Sequence, residues 1–485
     1  MRAVSRDMRI VGLGGKMNVS RVERSWVPQI AGEQGPIYLA IADAIGAALA
    51  RGELRPGERL PTHRALAREL GVDLTTVTRA YSEARRRGLL DATVGRGTFI
   101  RQATPPSSQP AIPEEFVDLG MNLPPLPDAP PLQDLLQRGL ARVLSGQEPR
   151  RVLSYRTGAG TAEERAAGAQ WLRPVLGEVD PGRVLVCPGA QPALFAVLGA
   201  LTEPGDVVLA DEFCYPGLRA VAEQLGLRLV GVAADAEGML PDAVDEACRG
   251  TRVKALCCIP TIQNPTTVTM PVERRQALAA AAQRAGIYIV EDDAYGLLPS
   301  RQLSAIASFA PEITYYISTL SKVLTPALRM AYLVAPAGPG LERTGAMLRA
   351  SVLMGSPLLT GLAAEWVRDG TAGTVLSEIR KESAARQRLA RELLPRTSFD
   401  AHPEGLHLWL HLPPRWNRLD FTSHLRRQSG LGVVPSDAFS LATPAPDAVR
   451  VSLGGAANRD DLRRALTSLA GALDREGLPS FASVV

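Results

Sequence analysis

At 485 residues, with 46% hydrophobic and 21% charged side chains, the chain has an ordinary globular composition and room for two or three domains. A net charge of only +4 argues against a generally polybasic binder, yet residues 36–101 hold 11 arginines, no lysine and seven acidic residues. That local excess equals the formal charge of the whole chain and points to nucleic acid at one end only.

Five cysteines, Cys187, Cys214, Cys248, Cys257 and Cys258, are odd in number and lack metal-type spacing. Reduced, mostly buried thiols in a cytoplasmic protein are the expectation. No apolar run reaches membrane-spanning length, so no membrane partner is expected. Residues 1–35 are expected to form a partly disordered leader. Its arginines lack an apolar core, which excludes a secretory signal, and Met8 and Met17 are alternative starts.

Residues 36–101 form the first predicted domain. Ile37, Ile41, Ile45 and Leu49 recur every four residues and mark a helix with one buried face. Pro56-Gly57 breaks the chain. Thr62 can cap a second helix carrying Leu66 and Leu70, and Gly71 suits the left-handed turn after it. Asp73 can cap a third helix with Val77, Tyr81 and Ala84 inward. The stretch Thr93-Val-Gly-Arg-Gly-Thr-Phe-Ile100 reads as a β-hairpin. Together these elements predict a winged helix-turn-helix, third helix in the major groove and wing against the backbone.

Gly57-Glu58-Arg59-Leu60-Pro61, Arg64-Ala65-Leu66-Ala67, Leu70-Gly71-Val72, Thr75-Thr76-Val77 and Gly95-Arg96-Gly97-Thr98-Phe99 resemble the head of GntR-type regulators. The resemblance implies that Arg64, Thr75, Thr76 and Arg79, with Arg96 and Gly97 of the wing, meet a double-stranded DNA operator. Leu74 stands where many relatives carry a basic residue, and His63 replaces a common serine. Residues 102–116, rich in Pro and Ser, read as a semi-extended linker to a domain over 117–485.

That domain alternates helical stretches with apolar β-branched ones: Val184–Cys187, Val207–Ala210, Val253–Ile259, Ile287–Glu291, Ile313–Ser318 and Met330–Ala335. The alternation predicts an α/β domain with a mostly parallel sheet, whose ligands gather at the carboxyl ends of strands. Polar motifs fall there. Gly189-Ala190-Gln191 opens a helix, a phosphate site or merely a turn. Tyr215 can cover a flat cofactor or simply pack. Asn264 can donate to a phenolic oxygen or shape the turn before Pro265. Asp292 and Tyr295 can address two edges of one ring, the carboxylate keeping a pyridine nitrogen protonated. Lys322, in Ser318-Thr-Leu-Ser-Lys-Val-Leu-Thr-Pro-Ala-Leu-Arg329, suits a Schiff-base lysine beside a phosphate cup.

In this order the motifs resemble class I aminotransferases, pyridoxal-phosphate fold type I. The resemblance implies pyridoxal 5'-phosphate as cofactor, Lys322 as its aldimine lysine and Asp292 as partner of its ring nitrogen. It sets Tyr295 and Asn264 on the phenolic oxygen, Tyr215 against the ring, and Gly189, Ala190, Gln191, Thr319, Ser321 and Arg329 around the phosphate. Tyr155 resembles the tyrosine that reaches a partner subunit's phosphate, and Arg450 the arginine that grips an α-carboxylate. Thr319 replaces a usual serine, and Thr267 the glycine of a common Asn-Pro-Thr-Gly turn. No metal is expected.

A winged helix joined to this fold resembles the MocR/GabR-type branch of GntR regulators. It implies a head-to-tail homodimer that senses an amine or amino acid by forming an external aldimine. A working aminotransferase with an accessory DNA-binding head is the alternative.

Overall fold

The computed structural model describes residues 26–28, 37–51, 53–54, 58–86, 89–93, 97–100, 116–126, 130–146, 152–156, 158–395, 398–442 and 444–474. The leader apart from 26–28, the linker apart from Phe116, Pro56-Gly57 and Arg96 lie outside them. The chain divides into two units, Met1–Gln109 and Pro110–Val485.

In the first unit, α1 (Ile37–Ala50) buries Ile41 and Ile45 completely, while Ile37, at its first turn, stays 50% exposed. The expected four-residue stripe therefore begins one turn late, and in the first turn it is Tyr38 rather than Ile37 that packs against the core. Helix α2 (His63–Leu70) starts at Thr62, whose hydroxyl accepts from the Ala65 amide at 3.3 Å, and ends at Gly71 with φ 62°. Asp73 accepts from the Thr75 amide at 2.7 Å and so caps α3 (Leu74–Arg86). Val77, Tyr81 and Ala84 of α3 are buried, and the Tyr81 hydroxyl donates to the Pro61 carbonyl. Strands β1 (Leu90–Thr93) and β2 (Gly97–Ile100) pair antiparallel, and Arg59 bridges to Phe99 at the hairpin's flank.

The second unit is built on a seven-stranded sheet. Its strands are β3 (Val184–Cys187), β4 (Val207–Asp211), β5 (Arg228–Val232), β6 (Val253–Cys258), β7 (Tyr288–Asp292), β8 (Thr314–Thr319) and β9 (Ala331–Val334). They lie in the order β3-β9-β8-β7-β6-β4-β5. Six run one way, and β9 alone is antiparallel to both neighbours. β3, β4, β8 and β9 are buried at every position, which is why they read as continuous apolar runs. The edge strand β5 had no such signature, since Arg228 and Gly231 are exposed.

A smaller four-stranded sheet, β10 (Phe399–Asp400), β11 (His407–His411), β12 (Val434–Pro435) and β13 (Ala448–Ser452), has the order β10-β11-β13-β12. Val117–Asp118 pairs with Leu431–Gly432, and the Ser452 amide donates to the Leu119 carbonyl. Residues 117–119 are thus tied to the separate strand Leu431–Gly432 and, through Ser452, to the small sheet. Glycine is required at 454 and 455: a Cβ there would come within 1.8 Å of the Leu123 oxygen and 2.0 Å of the Asp118 oxygen, respectively.

Candidate functional site

Every parallel strand that carries a motif delivers it at its carboxyl end. Gly189 follows β3, Tyr215 follows β4, Asn264 follows β6, Asp292 ends β7 and Lys322 follows β8. Arg329 joins them because β9 runs the other way, so the chain is at the same edge when it enters that strand. Arg450 comes from β13, and the 117–123 segment brings Asn122.

Lys322 Nζ donates to the Asn122 carbonyl at 2.6 Å. Burial lowers its pKa to about 8; Arg450 and Arg329 push the same way, and Asp292 opposes them. Asp292 is the reciprocal case. Burial raises its pKa to about 7, Asp293 adds to the rise, and Lys322 opposes it. Asp292 Oδ1 is buried with no hydrogen-bond partner among the described residues. A buried, unpartnered carboxylate oxygen is costly unless something absent pairs with it. The Oδ1 of its neighbour Asp293 is likewise unpartnered, but the Asp293 Oδ2 is anchored by the Tyr316 hydroxyl, which donates to it at 3.0 Å.

The helix start at Gly189 is likewise open to a ligand. Helix α4 (Ala190–Leu201) begins at Gly189, φ 113°, without a side-chain cap. Its first amides have no side-chain acceptor, the arrangement that takes a phosphate. A Cβ at Gly189 would lie 3.6 Å from the Arg329 guanidinium. Gln191 donates to the Gly217 carbonyl at 2.8 Å, which ties α4 to α5 (Pro216–Gln224). The Thr319 hydroxyl donates to the Met330 carbonyl and accepts from the Ser321 amide, at 3.3 and 3.2 Å.

Tyr215 stands at the start of α5, 36% exposed, and borders a small cavity with Asp292, Cys257 and Ile259. Burial raises its pKa, as it does that of Tyr295. Asn264 Oδ1 accepts from Arg450 Nη1 at 2.9 Å, which leaves the Asn264 amide hydrogens for another group. Arg450, only 7% exposed, also donates to the Gly120 carbonyl and lies 5.0 Å over the Phe439 ring. Its Nε is buried without a partner among the described residues.

Thus Lys322, Asp292, Tyr295, Tyr215, Asn264, Arg450, Arg329 and Gly189 converge. Lysine, unpaired carboxylate, aromatic cover and open helix start fit pyridoxal phosphate group by group. Tyr155 does not join them: it is 84% exposed, beside Leu153 and Met354. Sequence reasoning missed Asn122 and His407. The buried His407 ring lies 3.0 Å from the Asn122 amide, which also donates to the Tyr295 hydroxyl at 2.8 Å.

In the first unit, Arg64, Thr75 and Arg79 are exposed and Thr76 is half-buried. Arg79 also stacks 4.6 Å over the Tyr38 ring. Leu74 is 42% exposed at the start of α3.

Two family models match the chain. "Aminotransferase class I and II" covers residues 114–469, and "Bacterial regulatory proteins, gntR family" covers 37–100. The uncharacterized HTH-type transcriptional regulator YdeF of Bacillus subtilis is 30% identical over 93% of this chain and 97% of its own. The vitamin B6 salvage pathway transcriptional repressor PtsJ of Salmonella typhimurium is 29% identical over 83% of this chain and 91% of its own. Among solved structures, an archaeal alanine:glyoxylate aminotransferase superposes with a TM-score of 0.67 at 26% identity, covering 74% of this chain and 91% of its own. Among the described residues no helix is long and apolar enough to cross a membrane.

Proposed function

We propose that this chain, which belongs to the MocR-type transcriptional regulators with a GntR-family head and an aminotransferase-like domain, converts the binding of an amino-acid effector at Lys322 into a change in DNA occupancy. Pyridoxal phosphate, its cofactor, supplies an aldehyde that condenses reversibly with amines.

The carrying observation is that two groups acting electrostatically on Lys322, Asp292 and Arg450, each keep a buried unpartnered atom, Oδ1 and Nε. The first awaits the ring nitrogen. The second suits the carboxylate of an effector, which a guanidinium holds with directed N–H groups. With its pKa near 8, Lys322 is an amine often enough near neutrality to attach the cofactor and to be displaced. Tyr215 covers the ring, and Asn264 and Tyr295 hold its phenolic oxygen. Gly189, Ala190, Gln191, Thr319, Ser321 and Arg329 receive the phosphate.

Tyr155 completes the phosphate site of a second subunit in a head-to-tail homodimer; its 84% exposure beside exposed Leu153 supports this role. Arg64, Thr75, Thr76 and Arg79 face the operator, with Arg96 and Gly97 in the wing. The domains run over 36–101 and 117–485, joined by 102–116, in a cytoplasmic protein.

PtsJ is named a repressor of a vitamin B6 salvage pathway, and a second reading for this chain takes pyridoxal phosphate itself as the effector. Operator affinity distinguishes the two, measured on the apo-protein, with pyridoxal phosphate alone, and with saturating pyridoxal phosphate plus candidate amino acids. An amino-acid response that Lys322→Ala abolishes supports the sensor of amines. A response to pyridoxal phosphate alone, with none to amino acids, supports the second reading and removes the first.

A further inference from the structure

His407 and Asn122 meet behind the Tyr295 hydroxyl. The His407 ring is fully buried, and burial drives its pKa down to about 3, so it is neutral and carries one ring hydrogen. Its Nε2 faces the Gln263 carbonyl at 3.3 Å. A carbonyl can only accept, so the hydrogen sits on Nε2 and Nδ1 is a bare acceptor. The Asn122 atom 3.0 Å from Nδ1 must therefore be the amide nitrogen. This sets the amide's orientation. Its second N–H is donated to the Tyr295 oxygen at 2.8 Å, and Asn122 Oδ1 accepts from Ser452 at 3.4 Å. Tyr295 accepts from Asn122, so its own hydrogen is left for a group in the cleft. With the amide reversed, Tyr295 would donate to it and have no hydrogen to offer.

We propose that His407 and Asn122 are positioning residues that hold the Tyr295 hydroxyl as a donor toward the phenolic oxygen of bound pyridoxal phosphate. The ring tautomer sets the amide, and the amide sets the hydroxyl. The same residue, through its main-chain oxygen, receives the Lys322 amine. The inference rests on the cofactor and not on any particular effector.

The test is the visible absorbance of the full-length protein loaded with pyridoxal phosphate, titrated with pH. A hydrogen bond to the phenolic oxygen favours its anion and lowers the titration midpoint. Asn122→Asp keeps the shape but cannot donate, and draws the Tyr295 hydrogen to itself. It should raise the midpoint by about one pH unit, tenfold in proton affinity. Tyr295→Phe should raise it by a similar amount, and the double variant no further, since both remove one hydrogen. His407→Gln can still donate to Gln263 and accept from Asn122, so it should stay within about half a unit of wild type. His407→Leu should move toward the Asp variant. Arg450, Asp292 and Tyr215 also act on Tyr295 and are unchanged in all these variants. Additive shifts in the double variant would mean that only the new carboxylate's charge acts, and would overturn the relay. So would an unmoved midpoint in Asn122→Asp. Loss of cofactor binding in His407→Gln would do the same, by making the pair a structural prop. A wild-type protein with no visible band would instead remove the cofactor reading itself.

Discussion

The two units solve opposite problems. In the head, Arg64, Thr75 and Arg79 stand exposed on the helices, and folding asks little of them beyond the Thr75 hydroxyl on Asp73 and the Arg79 stacking on Tyr38; the core is apolar. In the large unit Asn264 and Arg450 are buried, and burial displaces the proton affinities of Lys322 and Asp292, while Tyr215 and Arg329 stay exposed at the rim. A surface that reads DNA can change side chain by side chain. A buried site cannot, because each group is held in its ionic state by the others.

Variants can sharpen or break that contrast. Leu66→Ala, in the fully buried core of the head, should cost the head about 3 kcal/mol and weaken operator binding, with the cofactor spectrum unaltered. Separate unfolding transitions with one shifted would show it in calorimetry. Gly454→Ala places a methyl 1.8 Å from the Leu123 oxygen and should cost about 2 kcal/mol of large-unit stability. By displacing the segment that carries Gly120 and Asn122, it should also weaken cofactor binding, read by spectral titration, while the head still binds DNA.

Uptake of cofactor by the apo-protein should speed up as pH rises. Lys322 is a protonated, unreactive ammonium below its pKa of about 8 and a free amine above it. The rate should therefore climb between about pH 7 and 9 and level off, and Arg450→Met should move the midpoint upward by removing a neighbouring positive charge. Stopped-flow absorbance checks both. Smallest in stability is Arg79→Ala, under about 1 kcal/mol through loss of its stacking on Tyr38. Its effect should lie in DNA binding, with the salt dependence reduced by about one charge. A large loss of fold stability in this variant would erase the contrast drawn above.

Much of this was legible in the sequence, for physical reasons that differ by region. Strands buried on both faces, such as β8, announce themselves as apolar runs, and the residues that follow them must lie at the ligand edge. Thr62, Gly71 and Asp73 were readable as caps because a helix end needs a specific acceptor or a left-handed residue. Ile37 misled, since periodicity cannot tell where a helix begins to pack. The edge strand β5 has exposed positions, two strands of the small sheet are only two residues long, and His407–His411 and Ala448–Ser452 carry polar residues, so none reads as an apolar run. Asn122 and His407 are single polar residues in apolar surroundings. Only the fold brings them, 285 positions apart, into one hydrogen-bonded pair.

The lone reversed strand has a consequence for how such a protein is assembled from parts. β8 and β9 are hydrogen-bonded neighbours, and the Leu320 amide extends their ladder to the Met330 carbonyl at 3.0 Å. Lys322 and Arg329 therefore ride on one closed arch, clamped at both feet. The spacing between the main-chain anchors of the amine and the guanidinium is a property of that arch, while the Lys322 amine itself is directed by the Asn122 carbonyl. One continuous segment, residues 314–334, therefore carries both anchors, so the pair is inherited or lost together.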